Sequence, residues 1–178
     1  KGFAKAAYSA YRERAIGLGA MGFHSYLQRN GLPFEGMYAS SFNNRAFKHI
    51  KERATAASVQ LAGSRGEAPD MVGDGLRNSH LLAIAPNASS SIICGGTSPS
   101  IEPTRANVFT HKTLTGSYKV KNKYLEKLLD EKGINTEKTW KDIAANEGSV
   151  AFIDALSQEE KDIFKTAPEL NQIWIVEH

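Results

Sequence analysis

The residues best suited to chemistry are Pro86-Asn87-Ala88-Ser89-Ser90-Ser91, set directly after the apolar run Ser79-His80-Leu81-Leu82-Ala83-Ile84-Ala85. A run of that kind, bounded by polar residues and a proline, reads as a strand buried on both faces, as in a parallel α/β sheet or barrel. Pro86 ends the strand because it has no N–H to give to a ladder. Small side chains then leave the backbone open. Successive N–H groups at the start of a short helix, with serine hydroxyls beside them, can converge on an anion such as a phosphate. Ligands of α/β proteins sit outside the carboxyl ends of strands, which is where this loop falls. No Lys or Arg lies within it, so binding there would rest on backbone dipoles and hydroxyls. The competing reading is that the serines only cap a helix and form a turn. A third, that Asn87-Ala88-Ser89 is a glycosylation sequon, requires a secretory route that the sequence does not signal.

The other reactive side chains point elsewhere. Cys94 is the single cysteine, which excludes an intramolecular disulfide or a redox pair within this segment and predicts a small buried apolar residue. His24, His49, His80, His111 and His178 show no metal-ligand spacing, so structural or exposed roles are expected and no metal is assigned. Asp74, Arg77 and Asn78 can order the approach to the strand by hydrogen bonds or simply cap turns. Lys119, Lys121 and Lys123 alternate along a strand and its exit and predict a solvated face. Glu102, before Pro103, has no derivable chemical role beyond turning the chain.

Composition bounds the setting. The 178 residues carry 22 basic and 19 acidic side chains, a net charge of +3 too small and too scattered to argue for nucleic acid or a membrane surface. No apolar run approaches the roughly 20 residues of a membrane span. Sparse cysteine fits a reducing, cytoplasmic location. The first third is expected to be helical. Ala20-Met21 to Leu27 forms a short helix ended by Asn30-Gly31, and Ile16-Gly17-Leu18-Gly19 leads into it, its glycines suggesting close backbone packing or a simple turn. Ser40 or Ser41 caps a long helix whose apolar stripe is Phe42, Ala46, Ile50, Ala54, Ala57 and Leu61, with stop signals at Gly63 and Gly66. Asn107–Thr110 and Ser117–Lys121 read as strands. Asn122, Thr136 and the capping box of Ser157 and Glu160 open three further helices, and Pro168 starts a terminal one. An uncapped Ala-rich start and an amphipathic end give the expectation that both ends are cuts through secondary structure, making residues 1–178 a single partial domain.

Several segments together resemble the large subunits of class I ribonucleotide reductases. These are Leu76-Arg77-Asn78-Ser79, the apolar run, Pro86-Asn87-Ala88-Ser89-Ser90-Ser91-Ile92, and Ser100-Ile101-Glu102-Pro103. The flanks agree: Arg14–Phe23 upstream, Asn107–Ser117 downstream, then Phe164-Lys165-Thr166-Ala167 and Trp174–His178. The resemblance covers nearly the whole chain. It implies an α/β fold that is part of a ten-stranded barrel, with a finger loop carrying a radical cysteine. It also implies reduction of the ribose 2′-OH of a ribonucleoside diphosphate, the supply of deoxyribonucleotides for DNA replication. In that family the substrate phosphate loop maps onto Pro86, Asn87, Ala88, Ser89 and Ser90, with amides of Ala88, Ser89 and Ser90 aimed at the β-phosphate. Asn87 stands where the family more often has Thr or Ser.

The same resemblance implies what this segment lacks: the thiyl-forming cysteine, the redox cysteine pair, the Asn and Glu near the ribose, the radical-transfer tyrosines and the cysteine-bearing tail. No cofactor is expected on this segment. The full enzyme would use a radical-generating small subunit with a dimetal centre, a dithiol reductant and a homodimer of large subunits, and its allosteric ATP-type sites lie mostly upstream. A cobalamin-dependent reductase shares the barrel and stays open. The alternative of a different class is a non-catalytic phosphate- or nucleotide-binding module from a split or degenerate reductase.

Overall fold

The structure, a computed structural model, describes residues 2–114 and 116–178, with the backbone alone at Thr113. Its elements are α1 (Ala4–Glu13), α2 (Phe23–Arg29), α3 (Met37–Arg65), α4 (Ala88–Ile93), β1 (Val108–Thr113), β2 (Gly116–Lys121), α5 (Lys123–Glu131), α6 (Glu137–Ala145), α7 (Gln158–Ile163) and α8 (Ile173–Glu177), with single 3-10 turns at Pro69–Met71 and Ala167–Glu169. They fall into two compact units: residues up to Ala20 with Phe42–Ala85, and Met21–Ser41 with Pro86–His178.

In the first unit α1 forms from its Ala-rich run but buries none of its residues. The segment after it pairs in parallel with the apolar run. Ile16 N–H donates to His80 O (3.0 Å), Leu18 N–H to Leu81 O (2.9 Å) and Ala83 N–H to Leu18 O (3.2 Å). The glycines here serve close packing: a Cβ on Gly17 would stand 2.8 Å from the Ala83 Cβ, and one on Gly19 2.5 Å from the Ala83 carbonyl oxygen. The run itself corrects the expectation of a strand buried on both faces. Leu81 and Leu82 are half-buried, whereas Ala83, Ile84 and Ala85 are exposed. Among the described residues a single short segment pairs with it, which leaves one edge open, and the exposed Ala83, Ile84 and Ala85 lack the packed layers that bury both faces of a parallel strand.

α3 begins at Met37, so Ser40 and Ser41 lie inside it rather than capping it. Met37, Tyr38 and Ala39 are compatible with a helix, and the Ser40 N–H already bonds the Gly36 carbonyl. Gly63 is inside the helix. Gly66, at φ +79°, ends it with its N–H on Ala62 O. Of the expected stripe, Phe42, Ala46, Ile50 and Ala54 are half-buried while Ala57 and Leu61 are exposed, and the buried residues of this helix include Ala39, Asn43, Ser58 and Ala62. Ser58 holds the chain just before the apolar run: its Oγ donates to Asn78 Oδ1 (2.9 Å) and accepts from the N–H groups of Arg77 and Asn78 (3.1 Å each). The Arg77 guanidinium donates to Arg65 O (2.6 Å) and Gly66 O (2.9 Å), closing the last turn of α3, and Asn78 Nδ2 reaches Arg14 O (2.9 Å). The ordering role expected of Arg77 and Asn78 is therefore present.

The second unit carries the hydrophobic core, in which Leu125, Leu129, Trp140, Ile143, Val150, Leu156 and Phe164 are buried together. Three of its helices start where the sequence predicts. The Asn122 side chain accepts from Tyr124 and Leu125, Thr136 from Thr139, and Ser157 with Glu160 makes a complete capping box. β1 and β2 form an antiparallel hairpin, Val108 opposite Lys121 through Thr113 opposite Gly116. Thr115, in the connection, lies outside the described residues. Lys119 is exposed as expected, but Lys121 is half-buried, its Nζ 5.0 Å from the centre of the Trp140 ring. Pro168 opens a 3-10 turn closed by Thr166 and Glu169, and the terminal helix starts later, at Ile173.

α2 starts at Phe23 rather than Ala20, because Gly22 sits at φ +86° and its missing Cβ lets Thr97 approach; a Cβ would be 2.6 Å from Thr97 Oγ1. The chain at 98–104 lies over this helix end. Gly22 N–H donates to Ser98 O (2.9 Å), Ser25 N–H to Ser98 Oγ (3.0 Å), and Ser98 N–H to Ser25 Oγ (2.8 Å). His24, fully buried, accepts the Thr104 N–H on Nδ1 at 2.9 Å. A backbone N–H can only donate, so the neutral ring carries its hydrogen on Nε2, on the side of the Ile163 carbonyl. Burial pushes this histidine from 6.5 to about 4, against the opposing effect of the Ile163 bond.

Two outcomes follow from this architecture. Between pH 6.5 and 4 the folded chain binds fewer protons at His24 than the unfolded chain. Its stability should therefore fall on acidification through that interval, by up to about 1.4 kcal/mol per pH unit, and be indifferent to this group above it; urea midpoints of native and His24→Asn protein, compared across pH, measure the difference. In Gly19→Ala the new methyl must part the Gly19 and Ala83 backbones, and a local loss of about 1–3 kcal/mol should speed hydrogen exchange at the Leu18 and Ala83 amides about fivefold or more.

Candidate functional site

The loop after the apolar run forms a short helix. Asn87 is its N-cap, in the left-handed region (φ 53°, ψ 25°), and its side chain makes no capping bond. Asn tolerates this conformation better than β-branched residues do, which gives a physical reason for Asn at this position. The first bond of the turn runs from Ser91 N–H to Asn87 O (2.9 Å). The amides of Ala88, Ser89 and Ser90 precede it and have no carbonyl one turn back within the helix. Ser89 and Ser90 are exposed, and Ser91 is buried with its hydroxyl on Ala88 O (2.8 Å). The reading of Ser89 or Ser90 as the helix cap thus fails on position: the cap is Asn87.

A cleft of about 450 Å³ opens along this helix, lined on one side by Ala88, Ser91 and Ile92 and on the other by Pro99, Thr104, Arg105 and Phe109. That is within the size range of small-ligand sites. Of the expected loop residues, Ala88 lines the cleft; Pro86 and Asn87 shape the turn into the helix, and Ser89 and Ser90 lie on its first turn. The opposite wall was not singled out by residue type. Thr104 and Arg105 directly follow Ile101-Glu102-Pro103, so that element marks the wall without lining it. Glu102 is exposed, its N–H turning back to Pro99 O (3.0 Å). Arg105 brings to the cleft the positive charge that the loop lacks.

Cys94 corrects another expectation. It is exposed rather than buried, because it is the C-cap of α4, where Gly95 and Gly96, both at positive φ, turn the chain away. Among the described residues no cluster of three or more His, Cys, Asp or Glu could hold a metal, and no helix is long and apolar enough to cross a membrane.

The family model described as ribonucleotide reductase, barrel domain, matches residues 2–74 and 69–178. The ribonucleoside-diphosphate reductase large subunit of Invertebrate iridescent virus 3 is 47% identical over 175 residues, covering 97% of this chain and 28% of that protein. The large subunit of Invertebrate iridescent virus 6 is 41% identical, over 98% of this chain and 19% of that one. Among solved structures, the Actinobacillus ureae class Id ribonucleotide reductase alpha subunit superposes with a TM-score of 0.86 at 43% identity, over 95% of this chain and 31% of its own. The chain therefore spans less than a third of the length of these relatives. Matched by the family model over nearly all its length and by fold to a solved alpha subunit, the chain belongs to the ribonucleotide reductase barrel-domain family.

Proposed function

We propose that residues 1–178 are the portion of a ribonucleoside-diphosphate reductase large subunit that holds the substrate's diphosphate. The observation that carries this is the cleft between the first turn of α4 and the Thr104–Arg105 wall. The open amides of the first turn of α4, at Ala88 on the cleft lining and at Ser89 and Ser90 next to it in the chain, together with the cationic Arg105 on the other wall, suit an anion with several acceptor oxygens. The loop's contribution is positioning: fixing the phosphates fixes the ribose, and so places C3′–H against a thiyl radical supplied from outside this segment. The single cysteine cannot form a redox pair, so turnover needs the cysteines, tyrosines and remaining barrel strands of the rest of the subunit. The ten-stranded barrel, the homodimer, the small subunit with its dimetal radical source and the dithiol reductant belong to that whole protein. The exposed edge beside Ile84 is consistent with further strands completing the sheet there.

Ser89→Asp separates binding from folding. A carboxylate in the first turn of a helix is favourable to the helix dipole, by about 0.3–1 kcal/mol, yet it would stand where the phosphate charge must come. In the full-length protein this variant should melt at the native temperature or slightly above it and bind cytidine diphosphate at least tenfold more weakly, by equilibrium dialysis. Native affinity in Ser89→Asp would remove the loop from the binding site.

A further inference from the structure

We infer that His24 is a positioning residue for the diphosphate cleft. It acts through the Thr104 backbone and touches no ligand itself. The inference rests on the reading of the cleft as the diphosphate site.

The cleft has two walls of unequal construction. The α4 wall is held by its own helical turn and by Ser91. The facing wall, Pro99 to Arg105, has no regular secondary structure. It is held instead from beneath, by α2. Ser25 and Ser98 exchange two bonds and fix one end of it. His24 fixes the other end by accepting the Thr104 N–H at 2.9 Å, with the Thr104 hydroxyl also 3.3 Å from the same nitrogen. Thr104 and its neighbour Arg105 both line the cleft, so the depth of this wall is set at Nδ1 of a ring that no solvent reaches.

The ring is itself immobilised. Phe34 packs edge-on against it with ring centres 5.5 Å apart, and the Gln28 amide lies beside Nε2. Gln28 in turn accepts from Asn122 Nδ2 (2.9 Å), which also donates to Asn107 Oδ1 (2.8 Å) at the foot of β1. Asn107 donates to Gly148 O (3.0 Å) and Phe164 O (2.8 Å). His24 thus holds the loose cleft wall while packed against Gln28, the first member of a buried polar chain that ends in the helical core. A phenyl ring would fill the same space, whereas only an acceptor at Nδ1 can hold Thr104.

Two isosteric replacements isolate that acceptor. In His24→Asn the side-chain oxygen falls where Nδ1 was and can still take the Thr104 N–H. In His24→Gln the amide reaches toward the Nε2 position and leaves Thr104 without its partner. In the full-length protein, cytidine diphosphate and inorganic pyrophosphate would be titrated against native, His24→Gln, His24→Asn and Ser89→Asp forms, with melting temperatures measured alongside. The expected result is a loss of diphosphate affinity of about fivefold or more in His24→Gln and affinity within about twofold of native in His24→Asn, although both variants melt below the native protein. In turnover the His24→Gln loss should appear in KM rather than kcat. Equal affinities in all three His24 forms would overturn the inference, and so would equal losses in His24→Gln and His24→Asn, which would mark a general structural role. If native protein and Ser89→Asp alike fail to bind either probe, the diphosphate reading falls, and the positioning role with it. Native binding that is lost in Ser89→Asp but untouched in His24→Gln leaves that reading standing and removes this inference alone.

Discussion

The second unit depends on one constraint: every polar group of the chain crossing at 97–104 must be satisfied where it lies over the start of α2. Gly22 makes the approach possible by lacking a Cβ. The orphan amides of the helix start are then used, Gly22 by Ser98 O and Phe23 by Ser100 O (3.3 Å). Ser25 and Ser98 exchange bonds, and His24 takes Thr104. A buried donor left without a partner costs about 1–3 kcal/mol, so each bond fixes the register of the others. The cleft beside α4 exists because this crossing holds its far wall at a set height.

The two units are stabilised by different means. The second has a conventional apolar core around Trp140, whose indole N–H is also bonded, to Asn135 Oδ1. The first buries mainly small or polar side chains among its described residues, Ala62, Ala68, Ser58 and Asn78, and its order comes from hydrogen bonds at Ser58, Arg77 and Asn78 together with the tight pairing at Gly17 and Gly19. Such an arrangement suits a segment whose apolar strand still shows an edge and an exposed Ile84. An apolar run that reads as fully buried is half-buried at Leu81 and Leu82 and exposed beyond them, because burial on both faces requires layers packed over both faces and one short paired segment does not supply them.

Much of the second unit was legible because its signals are local. Asn122, Thr136 and the Ser157–Glu160 box start helices through bonds spanning two or three residues, so residue type and spacing suffice. The short helix at the loop was legible from Pro86 and the small residues after it. Ser40, Ser41 and Pro168 misled because capping residues are also tolerated inside helices and in 3-10 turns, and which use prevails depends on what the helix packs against. Cys94 misled for a similar reason: its type favours burial, but its place at a C-cap before two glycines puts it in solvent.

The sequence by itself determined the family, the loop from Pro86 to Ser90 and the absence of a redox cysteine pair, because these are properties of residue order and count. Only the tertiary structure decided that the loop faces a second wall, that Arg105 brings it a positive charge, and that His24, eighty residues from Thr104, holds that wall with an unprotonated nitrogen. No local signal encodes such a pairing. It arises when α2 is brought under the crossing chain, and burial then decides both the partner of the ring and its charge.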